Sequence, residues 1–398
     1  MAEPSNLGGL EREELELTLE TIWEAEREKL SGFNPFHFVG FTGSGHLVAN
    51  LQYSDGSSSY IVIDARSKEE VSRIRRPPRK GLWDFLGTHS VQGDKVVNYS
   101  PGVGGSGLFS VEAWSLTDGK KIWEHLEQSG YCHALDVTVT PDITYVVSRH
   151  NITLIDAEGH NLVDMTHGPE EEVNGQAAAV AKEQGMVVLV KPDASNNALV
   201  YRWNRGDKAP TLTNLEGLTG WPISLCCSHP QLLASPHYLV AFSADNFWAY
   251  QPPELKLAGE GMASGPFPHS AITHGSTLAV DTRNMGWVVF DLEEKIDPSS
   301  HFFGYELSRQ GKAYMISNGL AIVSPEHIDV FPGPEEIIKE KKAFNRRRYN
   351  NPSGITRFLT DERGQVYACS DRAVFKVAGE TSIKFHPERG ELRKFGGA

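Results

Sequence analysis

Apolar residues in this chain come in short runs, each closed by polar or turn-forming positions. Eight runs stand out: Leu47-Val-Ala-Asn-Leu, Lys95-Val-Val-Asn-Tyr, Ile143-Thr-Tyr-Val-Val, Met186-Val-Val-Leu-Val, Tyr238-Leu-Val-Ala-Phe, Thr277-Leu-Ala-Val-Asp, Leu320-Ala-Ile-Val-Ser and Val366-Tyr-Ala-Cys-Ser. A turn and a second run follow each of them, as in Tyr60-Ile-Val-Ile-Asp, Ile152-Thr-Leu-Ile-Asp and Trp287-Val-Val-Phe-Asp. β-Branched and aromatic residues bounded by Gly, Asp and Ser predict strands. The third unit shows the full pattern. Strands are expected at 134–140, 143–148, 151–156 and 161–165, with Pro141-Asp and Ala157-Glu-Gly as turns. Leu135-Asp-Val-Thr-Val-Thr alternates with the strand period of two.

The starts of the eight runs are separated by 48, 48, 43, 52, 39, 43 and 46 residues. Periods in the forties mark arrays in which one small unit stacks on the next because it cannot bury both faces alone. The chain is therefore expected to be all-β: an eight-bladed β-propeller with four-stranded antiparallel blades. Seven blades is the alternative, because the 39- and 52-residue steps are uneven. Closing the array into a ring removes open sheet edges. The propeller is expected over 35–398 as a single domain, with 1–34 as an acidic extension. Within 10–31, Leu15, Leu19, Ile22, Trp23, Glu26 and Leu30 recur at three- and four-residue steps. That spacing predicts a short amphipathic helix, packed on the ring or docking a partner. If the chain ends share a blade, 36–41 and 382–385 are the expected neighbours.

Composition narrows the class. Of 398 residues, 39% are apolar and 22% charged, enough for a large core. A net charge of −13 argues against broad nucleic-acid binding, which needs a positive surface. The start of the chain has no basic segment followed by an apolar one, and no apolar run is long enough to span a bilayer. A cytoplasmic, possibly nuclear, unsecreted protein is the expectation. The sequons at Asn98 and Asn151 would then be silent. Two basic patches break the acidic background: Arg73, Arg75, Arg76, Arg79 and Lys80 around Pro77-Pro78, and Lys339, Lys341, Lys342, Arg346, Arg347 and Arg348 after Pro334-Glu-Glu. They are expected on surface loops or short inter-blade helices, where they could dock a protein partner.

Ala113-Trp-Ser-Leu-Thr-Asp-Gly-Lys-Lys-Ile-Trp123 resembles the repeat of the quinoprotein, or PQQ-like, propellers. In that family Ala-x-Asp-x-x-x-Gly-x-x-x-Trp joins the third and fourth strands; here Ser115 stands in place of the Asp. Weaker echoes lie at 152–159 and Ile61-Val-Ile-Asp. The resemblance implies a propeller superfamily and no activity. WD-repeat signatures fit less well, since Trp83-Asp84 is the single Trp-Asp pair. Some quinoprotein dehydrogenases carry a vicinal disulfide, and Cys226-Cys227 is a vicinal pair. No calcium-ligand set accompanies it, so no cofactor is expected, and the two thiols read as strand cysteines.

Gly102-Val-Gly-Gly-Ser-Gly107 matches a dinucleotide loop, but a strand pattern follows where the phosphate-binding mechanism needs a helix. It reads as a hairpin loop. No zinc spacing is present, and no metal is expected. Candidate acid–base groups fall on or near the expected innermost strands: His89, His133, Asp136, Lys182, His229, His274 and Arg357. A ring can bring such groups together at the mouth of its central channel, where a small molecule could bind. Two functions follow. One is a protein-interaction scaffold, its partner on a rim or on the N-terminal helix. The other is a propeller enzyme of lyase, isomerase or hydrolase type.

Overall fold

The computed structural model describes residues 15–395 apart from 26–29, 33–35, 83–87, 103–107, 129–133, 135, 149–150, 167–176, 193–197, 219–230, 236, 244–245, 263–270, 275–276, 283–285, 293–303, 307–310, 317–318, 333–342, 345–346, 379–389 and 392–393. Its strands form eight antiparallel blades of four, ordered along the chain from one sheet edge to the other in the first seven. Blade 1 comprises Phe36–Phe41, Leu47–Gln52, Ser58–Asp64 and Glu69–Arg76. Blade 2 comprises Thr88–Gln92, Lys95–Pro101, Leu108–Ser115 and Lys121–Gln128. Blades 3 to 7 lie within 136–166, 177–213, 231–262, 271–306 and 312–350. Blade 8 takes Arg357–Thr360, Val366–Cys369 and Ala373–Val377, and its outermost strand is Leu19–Glu24. The eight runs of the sequence are the second strands, and the runs that follow them are the third.

Second strands are buried on both faces, and their alternation shows why. In Met186–Pro192, Met186, Val188 and Val190 pack towards blade 5, while Val187 and Leu189 pack towards blade 3. In Val366–Cys369, Val366 and Ala368 face blade 7, while Tyr367 and Cys369 face blade 1. Period two thus serves two neighbours, and the core divides into eight apolar clusters, each between successive blades. The cluster joining blade 8 to blade 1, with Ile22, Phe38, Leu47 and Cys369, closes the ring. First strands adjoin one another around the axis between blades 1 and 2, 3 and 4, 4 and 5, 7 and 8, and 8 and 1. In blade 4 that strand is Ala-Ala-Ala-Val-Ala, small residues where strands crowd together. The architecture is an eight-bladed β-propeller.

The helix expected over 10–31 is not what its described residues form: Leu15–Glu16 and Leu19–Glu24 are strands. Leu19–Glu24 pairs with Ala373–Val377 and supplies the fourth strand of blade 8. A register shift between Thr21 and Trp23 inserts one residue and changes the apolar step from two to three. That bulge is what imitated a helical period. Ring closure therefore rests on Leu19–Glu24, whereas Phe36–Phe41 opens blade 1 and 382–385 lies outside the described residues.

The PQQ-like segment forms the end of one strand, a turn and the start of the next, as the resemblance implies. Trp123 is buried beneath the corresponding turn of blade 3. A Cβ on Gly159 would lie 2.3 Å from Trp123 Cβ. Gly119, in the matching turn of blade 2, sits 3.5 Å from Ile74 of blade 1 by the same measure. Glycine at this turn lets blades 2 and 3 settle closely on the outer strand of the blade before.

Candidate functional site

The boundary between blades 1 and 2 holds a buried polar cluster. The inner and lower part of the boundary is apolar, with Val39, Val48, Val62, Ile74 and Val96. Towards the end that carries the 53–57 and 77–87 connections, the same strands turn polar. Pairing places Gln52 beside Ser58 and Ser58 beside Arg76 in blade 1. In blade 2 it aligns His89, Asn98, Glu112 and Glu124. Asn50, Gln52, Ser58, Arg76, Asn98, Ser100, Ser110 and Glu112 are all buried.

Arg76 is fully buried and pairs with Glu112 across the boundary. Its Nη1 donates to Ser58 Oγ and to the Tyr60 hydroxyl, both at 3.2 Å. The guanidinium lies 5.1 Å from the Tyr60 ring centroid, and the Tyr60 hydroxyl is 3.0 Å from His89 Nδ1. After Pro77-Pro78 the chain returns Arg79 to the same cluster. Arg79 pairs with Glu124, approaches Glu112 at 3.3 Å and donates to Ser110 Oγ at 2.8 Å. Asn98 Nδ2 adds bonds to Ser100 Oγ at 2.8 Å and Glu112 Oε1 at 3.4 Å. Burial works against ionisation of Glu124, but Lys121 and Arg79 hold its carboxyl below the usual range. Both amide atoms of Asn50 are buried without a hydrogen-bond partner.

This arrangement ties blade 1 to blade 2 through buried ion pairs. Removing one member of such a buried pair costs about 3–5 kcal/mol, because the other charge is left behind.

The remaining inner-strand candidates also join neighbours. The Asp136 carboxylate accepts the Val180 backbone N–H of blade 4 at 2.8 Å and the Thr138 hydroxyl at 3.1 Å. Burial nevertheless pushes that carboxyl up to about 6. Arg357 donates to the Phe38 carbonyl at 2.8 Å, binding blade 8 to blade 1. Lys182 directly follows the innermost strand Ala177–Ala181, exposed in a short turn before the second strand of blade 4. His274 ends the first strand of blade 6. His133 and His229 lie outside the described residues, as do Cys226 and Cys227. Cys369 is buried and its thiol is pushed up to about 11 by desolvation, so it is no nucleophile near neutrality. Asp156, Glu158 and His160 cluster on a turn of blade 3, but Asp156 is engaged there by the N–H groups of Glu158 and His160.

The first basic patch is also corrected, since its arginines 73, 75 and 76 lie on a strand and not on a loop. Arg76 faces the blade boundary with no exposure, and Arg79 is mostly covered. Arg73 pairs with Glu70 and Arg75 with Asp55 on the surface, and Lys80 is exposed. Of the second patch, Arg348 pairs with the buried Asp329 at 3.0 Å, Arg347 begins the fourth strand of blade 7, and Lys339, Lys341, Lys342 and Arg346 lie outside the described residues. Strand register, which sequence alone leaves open, decided which of these cations face inward. Asn98 is fully buried, so its sequon offers no attachment site. Leu108–Ser115 is a strand, so the glycine loop before it opens no helix.

No protein-family model matches this chain, and no curated protein matches it either. Solved structures do. The computationally designed Ika8 protein superposes with a TM-score of 0.57 at 14% identity, covering 88% of this chain and 98% of its own. BamB from Moraxella catarrhalis superposes with a TM-score of 0.52 at 11% identity, covering 90% of this chain and all of its own. At such identities the likeness establishes the fold alone, that of a β-propeller.

Proposed function

We propose that this propeller is a protein-interaction scaffold whose partner binds the outer rim of blades 1 to 4. One observation carries the reading. The exposed large apolar side chains among the described residues are Val71, Ile122, Leu126, Leu162 and Leu212, and all five lie on the fourth strands of those four successive blades. Blades 6 and 7 each carry an added strand at that edge, Lys394–Phe395 and Leu15–Glu16. The outer edges of this ring therefore accept an extended segment, which is how strand-adding partners bind. The inner-strand groups support the same choice, since His89, Asp136 and Arg357 are engaged between blades. The acidic sequence fits a cytoplasmic or nuclear setting.

The test is a triple variant, Leu126→Asp, Leu162→Asp and Leu212→Asp, compared with wild type by proximity labelling in cells. Exposed positions tolerate the change, so the melting temperature is expected to move by no more than about 2 °C. Stoichiometric partners of the wild type are expected to fall at least tenfold. Full retention of every partner would overturn the rim reading.

A further inference from the structure

A cleft of about 430 Å³ opens where blade 8 meets blade 1, beside the strand that closes the ring. Arg66 and Lys68 reach it from the turn between the third and fourth strands of blade 1. Arg363 comes from the turn between the first two strands of blade 8, and Lys376 from its third strand. Four cations thus share the cleft with two carboxylates, Glu20 and Asp361, in a chain whose net charge is −13. Both carboxylates are engaged. Glu20 pairs with Lys68 at 2.8 Å, and Asp361 Oδ1 accepts the backbone N–H groups of Arg363 and Gln365 at 2.9 and 2.8 Å. Asp64, just outside, is turned into its own loop by the Arg66 N–H at 2.9 Å and Ser67 Oγ at 3.2 Å.

Tyr367 lines the cleft and is buried. Burial raises its phenol, and Asp361 and Asp64 add to that, while Arg66 and Arg363 both pull the other way. Two guanidinium groups therefore act on one phenol, although they come from different blades. Two planar forks, an ammonium and a hydroxyl around one small cleft suit a tetrahedral oxyanion, and the surplus of two positive charges matches a dianion.

We infer that the cleft at the ring closure is a phosphoryl-binding site formed by Arg66, Arg363, Lys376 and Tyr367. A phosphoryl group there would bridge the blade 1 turn to blade 8 and so stabilise the closed ring. The group could be carried by a small metabolite or by a phosphorylated side chain of another protein. The site is independent of the outer rim: the rim triple variant is expected to respond to phosphate as wild type does, so either reading can fail alone.

The experiment is a thermal melt and a calorimetric titration of the full chain at constant ionic strength. The probes are inorganic phosphate, pyrophosphate, and a phosphoserine peptide with its unphosphorylated twin. Wild type is expected to gain about 2 °C at ten times the dissociation constant. The double variant Arg66→Gln and Arg363→Gln, altered only at exposed positions, is expected to lose at least tenfold in affinity. Lys376→Gln provides a second, separate readout of the same loss. Tighter binding of the phosphopeptide than of free phosphate would assign the group to a protein side chain; equal or weaker binding would assign it to a small molecule. No response to any probe up to about 10 mM, or an equal response in the double variant, would overturn the site.

Discussion

Asp136 shows how one side chain sets a measurable property of the ring. Its carboxyl is pushed up to about 6 from an ordinary 3.8, with burial prevailing over the Val180 and Thr138 hydrogen bonds. The folded protein therefore holds this proton more tightly than the unfolded chain. Its contribution to stability is full below about pH 4, falls as pH rises towards 6, and is flat above that, a change of about 3 kcal/mol. Asp136→Asn keeps an oxygen to accept the Val180 N–H without the charge. The variant is expected to melt no lower than wild type at pH 7, and to lose the decline between pH 4 and 6.5 in chemical denaturation. A wild type that gains stability relative to the variant over that range would reverse the assignment. The sequence placed Asp136, His89 and Arg357 on or near innermost strands, because period two and turn residues locate strands. It did not show that each reaches a neighbouring blade, since Val180, Tyr60 and Phe38 become partners only once blades stack.

At the level of strands and turns, second and third strands were legible because both faces are buried, and a strand serving two neighbours reads as an unbroken apolar run. Fourth strands were harder. Thr211–Thr213 and Arg347–Asn350 carry few apolar residues, and Leu19–Glu24 carries a bulge that broke its alternation. The turn glycines have sharper consequences. Gly159 has φ +96°, and an added Cβ would overlap Trp123. Gly159→Ala is expected to cost about 2–3 kcal/mol, combining an unfavourable backbone with displacement of a buried indole. Gly206 also has a positive φ, +101°, but nothing crowds its Cβ, so Gly206→Ala should cost about 1 kcal/mol. Urea denaturation of the two variants separates crowding from backbone strain, and equal losses would discount the packing of Trp123.

For the molecule as a whole, the ring depends on a strand from the far end of the chain. Without residues up to 25, Ala373–Val377 would be an open edge, and the closing cluster would lose Ile22 and Trp23. Such a truncated protein is expected to melt at least 5 °C lower and to associate with rising concentration. A peptide spanning 13–25, added in trans, should restore much of the loss. An unchanged melt without the peptide would show that the cluster holds the ring unaided.

That same latch imposes an order in time on synthesis. Leu19–Glu24 leaves the ribosome well before its partner Ala373–Val377, which follows only after roughly 350 further residues. At about 5–20 residues per second, the wait is roughly 20–70 s. Through that interval a Leu- and Trp-bearing strand can lean on blade 1, where Trp23 stacks on Phe36, but has no strand to pair with, and the seven blades already made have no closing wall. A chaperone that shields this segment would be guarding the last step of folding long before it occurs.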